Sequence, residues 1–401
     1  MKYAVLLGDG MADDPQPEKG HLTPLELAHT PHMDRMAMTG TMGMVRTVPQ
    51  GMEPGSDVAN MSILGYDPHK YYTGRAAIEA AAMGISLQPE QVALRCNLVS
   101  TSDGPHGKVM EDYSAGHITT EESKKIIGTL QKELGSEKIR FFSGVGFRNL
   151  LIINEGQKDV TLFPPHDYLG RPLAEIQPRG KGAADIIKLH QDSQKIMKDH
   201  PVNKQRQAQG KKTADSIWLW GLGTAPSFQG FKDRFGLDGA VITGVDLIRG
   251  LGRLLGFKVI DIPGATGYVD TNYQGKAKGA LQALKDIDFL FLHVEAPDEA
   301  AHEGNLDLKI KAIQDFDTKI VGPILQGMDD FDDWRIMVLP DHETPLKQRN
   351  HRGNPVPFVI VGKKEWRMHR QTDKKFSEKQ GARSKIMSDP GHELLRSYLF
   401  Y

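Results

Sequence analysis

The chain of 401 residues is long enough for a large core and for more than one domain. Its 50 basic and 51 acidic side chains nearly cancel, which argues against a nucleic-acid footprint and against an acidic tail. A single cysteine, Cys96, excludes an internal disulfide framework and fits a reducing compartment. The apolar start at residues 3–7 stops at Gly8-Asp9-Gly10, too soon for a signal h-region or a membrane span, so a soluble, cytoplasmic protein is expected.

Residues 3–7 read as a buried parallel strand feeding a loop. Asp9 lies just beyond its carboxyl end, where α/β sheets collect ligands. A helix is expected at residues 32–37, ended by Gly40, and a strand at residues 41–48. Pro54-Gly55 then makes a turn, and Ser56-Asp57 opens an apolar run at helical spacing: Val58, Met61, Ile63, Leu64. That puts Ser56 at or near a helix N-cap, a place for a capping serine and equally for an anion. Residues 74–84 form an Ala-rich helix closed by glycine.

From residue 85 to about 200 the texture changes to short alternating segments at 92–99, 139–143, 149–153 and 160–163, with a helical stretch after Ile118. This predicts a second, α+β unit. Arg95, Asn97, His117, Arg148 and His166 are its polar residues suited to a small anion, although each alone reads as an ordinary solvated side chain. Residues 181–212 are charged and mostly helical, a route back to the first domain. Strand–helix alternation then resumes, with strands at 216–220, 240–242, 258–260 and 289–294 and helices near 245–255 and 274–284. Apolar runs at 335–339 and 357–361 complete a sheet expected to be mostly parallel and covered on both faces.

Three places supply metal-ligand residue types. Asp298 and His302 are four apart, so on a helix they share one face. Asp341 and His342 end an apolar strand, where both are costly to bury unpaired. His351 follows just before another apolar run. No Walker-type loop or kinase signature is present.

Together Asp9, Ser56, Asp298, His302, Asp341, His342 and His351 resemble the two-metal set of the alkaline phosphatase superfamily. Over nearly the whole chain the resemblance is to the archaeal-type 2,3-bisphosphoglycerate-independent phosphoglycerate mutases. Its marks include Leu-Gly-Asp-Gly-Met at 7–11, Gly-Ser-Asp-Val-Ala-Asn-Met at 55–61, Gly-Arg-Ala-Ala-Ile-Glu-Ala-Ala at 74–81 and Ser-Ala-Gly-His at 114–117. Further marks are Ile-Trp-Leu-Trp-Gly at 217–221, Pro-Gly-Ala-Thr-Gly-Tyr-Val-Asp-Thr at 263–271 and Pro-Asp-His-Glu-Thr-Pro at 340–345.

The resemblance implies an alkaline-phosphatase-like α/β domain, residues 1–84 and 206–401, with a smaller α+β substrate-binding lid inserted at 85–205. It implies a mutase that interconverts 3-phosphoglycerate and 2-phosphoglycerate through a phosphoserine on Ser56. Asp9, Ser56, Asp341 and His342 would hold one divalent ion, and Asp298, His302 and His351 the other. Mixed carboxylate and imidazole ligands favour Mn²⁺, with Zn²⁺, Co²⁺ and Mg²⁺ as alternatives. Asn60 would orient the phosphate; His117 and Arg148 match the family's substrate contacts, and Arg95 and Asn97 are added candidates. The expected partner is a small phosphorylated substrate, with neither nucleic acid nor membrane.

One departure is Gly221-Leu222-Gly223-Thr224-Ala225-Pro226, where the longer bacterial and plant mutases carry an arginine-rich segment. Lys276 or Arg206 is the expected substitute for that phosphate clamp. Three alternatives remain at this point: a homoserine kinase-like phosphotransferase, a metal-dependent phosphohydrolase, and a binding protein that has kept the fold without activity.

Overall fold

The computed structural model describes residues 1–105, 107–368 and 372–400. It divides into two compact units, Met1–Tyr72 with Phe228–Tyr401, and Thr73–Ser227.

The first unit is built on apolar runs that do not alternate. Every residue of the strand Phe289–Val294 is buried, as a strand covered on both faces requires. Lys2–Gly8 lies beside it, pairing in parallel with Phe289–Val294 on one side and Trp334–Leu339 on the other. The full sheet runs Lys258–Val259, Gly239–Ile242, Phe289–Val294, Lys2–Gly8, Trp334–Leu339, Val356–Gly362, Thr41–Val45, Met387–Ser388. Helices flank it, and a core including Leu6, Leu292, Ile336, Phe316 and Trp334 fills the space between.

The sheet is mostly parallel, as expected, with one antiparallel strand. Val356–Gly362 is antiparallel to both of its neighbours. The reason is its connection: the loop 340–355 returns along the same edge of the sheet instead of crossing over through a helix. That return keeps residues 340–355 at the carboxyl ends of the parallel strands, where Asp9 also lies.

In the second unit the sheet is antiparallel. Gln91–Gly104 pairs with Arg148–Asn154 on one side and Ser216–Thr224 on the other, and its far end forms a hairpin with Gly107–Asp112. Helices Thr120–Leu134, Ala183–Lys198 and Pro201–Ala208 belong to the same unit. The strand read at 216–220 therefore lies in this sheet and not in the first. Helix Arg75–Ala82 falls here too, since a Cβ on Gly223 would run into Ala77. The units accordingly divide at 72/73 and 227/228, where the sequence reading had set 84/85 and 205/206. Among the described residues no helix is long and apolar enough to cross a membrane.

Candidate active site

Three adjacent strands deliver polar side chains to one edge of the first sheet. Asp9 follows Lys2–Gly8, His293 ends Phe289–Val294, and Asp341 and His342 follow Trp334–Leu339. Register keeps them level, because Leu7 pairs with His293 on one side and Leu339 on the other. Asp298 and His302 come from the short helix Ala296–His302, and His351 from the returning loop. Thr41–Val45 ends at the same edge and leads through residues 46–55 to the helix Ser56–Ile63.

Ser56 is the first residue of that helix, and the cap position belongs to Gly55. No side-chain cap bond is made there, so a capping role does not account for the serine. Its Oγ lies 3.2 Å from His342 Nε2. The nearby alternatives are engaged or sealed: Asp57 accepts from Val58 N and from the Tyr72 hydroxyl, and Ser62 is fully buried.

The seven residues expected as ligands form one continuous set of contacts. His342 Nε2 is 3.5 Å from Asp9 Oδ1 and 3.4 Å from Asp341 Oδ2. The His342 ring stacks on His351 with centroids 4.1 Å apart. His302 Nε2 is 3.0 Å from both His351 Nε2 and Asp298 Oδ2. Two groups of potential ligand atoms emerge, Asp298 with His342 and His351, and Asp9 with His293 and Asp341.

Proton positions explain why these atoms suit a cation. The Nδ1–H of His302 donates to the Arg349 carbonyl at 2.9 Å, which turns the Nε2 lone pair toward Asp298 and His351. Thr344 Oγ1 donates to Asp298 Oδ1 at 2.5 Å and can therefore accept from His342 Nδ1 at 3.2 Å. The His342 Nε2 lone pair is then free to face Ser56, Asp9 and Asp341. Asp9 Oδ1 is buried and has no hydrogen-bond partner among the described residues.

The electrostatics agree. Burial, with Asp341, Glu295 and Asp298 nearby, pushes the Asp9 carboxyl well above its usual range. Its hydrogen bond to Asp298 raises His302 to about 9, so in this arrangement a proton is drawn to the spot where three lone pairs converge. Converging carboxylates, free imidazole nitrogens and an orphaned carboxylate oxygen are the donor set of a divalent-metal centre. Gly10 completes the packing: it has φ +59°, and a Cβ there would strike Asp298 Oδ1 and Thr344 Oγ1.

Both amide hydrogens of Asn60 are bonded, to the Ser56 carbonyl and to Asp341 Oδ2, each at 2.8 Å. Some expected roles change. Lys276 is fully buried and donates to the His293 carbonyl at 3.2 Å. Arg206, in the second unit, spends its guanidinium on Lys212, Glu122, Ala115 and Gly116, so neither residue is a free phosphate clamp.

In the second unit Arg95 is buried against Glu79 at 3.0 Å and lies over the Trp220 ring. Asn97 is buried between Trp220 Nε1 and the Tyr113 carbonyl. The strand register places Arg148 opposite Asn97. Arg148 and His117 are both exposed, and His117 sits in a left-handed turn at φ +51°. The His166 ring meets Trp220 edge-on at 5.1 Å.

Sequence reasoning missed His293, Thr344 and Thr243. His293 Nε2 donates to Asp9 Oδ2 at 2.8 Å, and its Nδ1 lies 3.3 Å from the Thr243 hydroxyl. The available signal was a histidine at the end of an otherwise apolar strand.

A family model described as 2,3-bisphosphoglycerate-independent phosphoglycerate mutase matches residues 37–203. A probable 2,3-bisphosphoglycerate-independent phosphoglycerate mutase of Geobacter sulfurreducens is 51% identical over 360 residues, covering 90% of each chain. The Methanothrix thermoacetophila 2,3-bisphosphoglycerate-independent phosphoglycerate mutase is 50% identical over 363 residues, covering 90% of this chain and 91% of its own. Among solved structures, a Pyrococcus horikoshii protein superposes with a TM-score of 0.81 at 30% identity, covering 99% of this chain and 96% of its own. The cofactor-independent phosphoglycerate mutase of Thermoplasma acidophilum does so with a TM-score of 0.66 at 26% identity, covering 99% of both chains. The chain belongs to the 2,3-bisphosphoglycerate-independent phosphoglycerate mutases, an isomerase family, in its archaeal-type branch.

Proposed function

We propose that the protein interconverts 3-phosphoglycerate and 2-phosphoglycerate through a phosphoserine on Ser56, with two divalent ions, Mn²⁺ by preference. The observation that carries this reading is a half-buried serine hydroxyl 3.2 Å from His342 Nε2, in a site otherwise made of carboxylates and imidazoles. Asp9, Ser56, Asp341 and His342 would hold one ion, and Asp298, His302 and His351 the other. Bound there, such ions lower the pKa of a hydroxyl and neutralise charge on a transferring phosphoryl group.

The chain's own groups do the rest. The Ser56 hydroxyl gives up its proton and Oγ forms a bond to phosphorus as the bond from phosphorus to the glycerate 3-oxygen breaks, and that oxygen takes up a proton in turn. The 2-hydroxyl then attacks the phosphoserine, loses its proton, and leaves Ser56 as a hydroxyl again. Asn60, which ties the Ser56 carbonyl to Asp341, would orient the phosphate beside Ser56. His293 orients Asp9, and Thr344 orients both His342 and Asp298. His117, Arg148, Arg95 and Asn97 are proposed as substrate-binding residues of the 73–227 unit, the last two through the packing of Trp220 and Tyr113. A cytoplasmic, reducing setting fits the buried thiol of Cys96.

The test uses pure protein with Mn²⁺ and 3-phosphoglycerate, followed by NMR for 2-phosphoglycerate and by assay for inorganic phosphate. Acid quench and peptide mass spectrometry should place one phosphate on Ser56. Ser56→Ala should fold with stability changed by no more than about 0.5 kcal/mol, since no cap bond is lost. It should show no interconversion. Release of free phosphate as the main product would make the protein a phosphohydrolase, and transfer from ATP to homoserine would make it a kinase-like phosphotransferase. Activity in Ser56→Ala would end the phosphoserine mechanism.

A further inference from the structure

Behind the proposed metal centre lies a cation that no step above uses. Lys309, on the helix Leu306–Phe316, is fully buried. Its Nζ donates to Asp13 Oδ2 at 2.7 Å, to the Thr344 carbonyl at 2.9 Å and to the Ala12 carbonyl at 3.3 Å. An ammonium has three hydrogens, and all three are used. The acceptors belong to two loops, the one that follows Asp9 and the one that follows Asp341 and His342.

Asp13 closes the brace from the other side. Its carboxylate accepts from Leu346 N at 3.2 Å and from Asp14 N at 2.7 Å, and its own N–H donates to Glu378 Oε1 at 3.1 Å. The Thr344 side chain is the hydroxyl that holds Asp298 and the Nδ1 face of His342. A shift of the Thr344 backbone therefore moves one proposed ligand from each ion.

We infer that Lys309 is a positioning residue for the metal centre, a built-in cation that locks the 10–14 and 341–346 loops together and so sets Thr344 against Asp298 and His342. This rests on the two-metal reading. A plain structural role, a buried ion pair that only stabilises the fold, makes a different forecast, and the two can be separated.

Lys309→Met leaves Asp13 buried without its cation and should lower the melting temperature. The double variant Lys309→Met with Asp13→Asn removes both charges and should recover most of that loss, because breaking a buried pair costs more than deleting it. Neither variant restores the anchor on the Thr344 and Ala12 carbonyls. Mn²⁺ titration of substrate-free protein, followed by electron paramagnetic resonance, should show at least one ion bound about 10- to 100-fold more weakly in both variants. At saturating Mn²⁺ the KM for 3-phosphoglycerate should stay within about 2-fold of wild type, with the loss in kcat.

Recovery of wild-type Mn²⁺ affinity in the double variant would reduce Lys309 to a stabilising ion pair and overturn the inference. Wild-type affinity in Lys309→Met alone would do the same. A wild-type protein that binds no Mn²⁺ would instead remove the two-metal reading, an outcome visible before any variant is made.

Discussion

Two places in the molecule, one in each unit, bury charge in opposite ways. In the 73–227 unit, Arg206 is 2% exposed, yet its guanidinium reaches one carboxylate and three carbonyls. Arg95 in the same unit has Glu79 beside it and the face of Trp220 beneath it. In the other unit, Asp9, Asp298 and Asp341 converge with several imidazoles, and Asp9 keeps an oxygen without a hydrogen-bond partner among the described residues. These two buried guanidiniums are matched by acceptors or an aromatic face. A group of like charges left unsatisfied costs stability, and such sites persist where they serve chemistry.

The strongest way to break this comparison is to remove a group from the crowded site. His342→Ala should lower mutase turnover at saturating Mn²⁺ by about 10³-fold or more, as losses at catalytic centres do. Its far-UV circular dichroism should match wild type, because the residue satisfies little of the fold around it. Near-normal turnover, measured with metal restored after chelation, would refute the assignment.

The mirror experiment is Arg206→Met, which leaves a carboxylate and three carbonyls short of a donor. It should cost about 2–3 kcal/mol in urea denaturation, while Mn²⁺ stoichiometry stays the same. A change in metal stoichiometry would show that satisfied charge in the second unit also serves the site.

A smaller effect sharpens the contrast through pH. Burial raises the Glu378 carboxyl to about 7, and no proposed ligand touches it. The folded protein holds that proton between pH 4.5 and 7 while the unfolded chain releases it, so this contribution to stability is lost as pH rises through the window. Glu378→Gln should flatten the profile, shrinking the difference in unfolding free energy between pH 5 and pH 8 by about 2 kcal/mol. Buried His190 in the second unit has the opposite sign: burial lowers it to about 3, so its contribution is lost as pH falls below 6.5. An unchanged profile in Glu378→Gln would show that the carboxyl is ionised in the fold.

What the sequence made legible follows from the same physics. Strands buried on both faces read as unbroken apolar runs, so residues 3–7, 289–294 and 335–339 were plain, and so were Asp9, Asp341 and His342 just beyond the first and the last. Composition does not encode a strand's direction or its partner. The antiparallel course of Val356–Gly362 and the pairing of Ser216–Thr224 with Gln91–Gly104 both depend on contacts remote in sequence. His293 was hidden because one histidine in Phe-Leu-Phe-Leu-His-Val does not disturb the apolar pattern. Lys309 was hidden because Leu-Lys-Ile-Lys in a helix looks like an ordinary solvated face.

The central place of Lys2–Gly8 imposes an order of assembly. Of its partners, Phe289–Val294 is synthesised almost three hundred residues later and Trp334–Leu339 more than three hundred. At roughly 5–20 residues per second the strand waits for tens of seconds on the ribosome before either edge can pair. Residues 73–227 emerge whole in that interval, and their antiparallel sheet needs nothing from outside the unit. The inserted unit is therefore free to fold first, and the sheet that carries the chemistry closes last. Until then an apolar strand stands without its partners, the state in which unpaired strand edges are prone to aggregate.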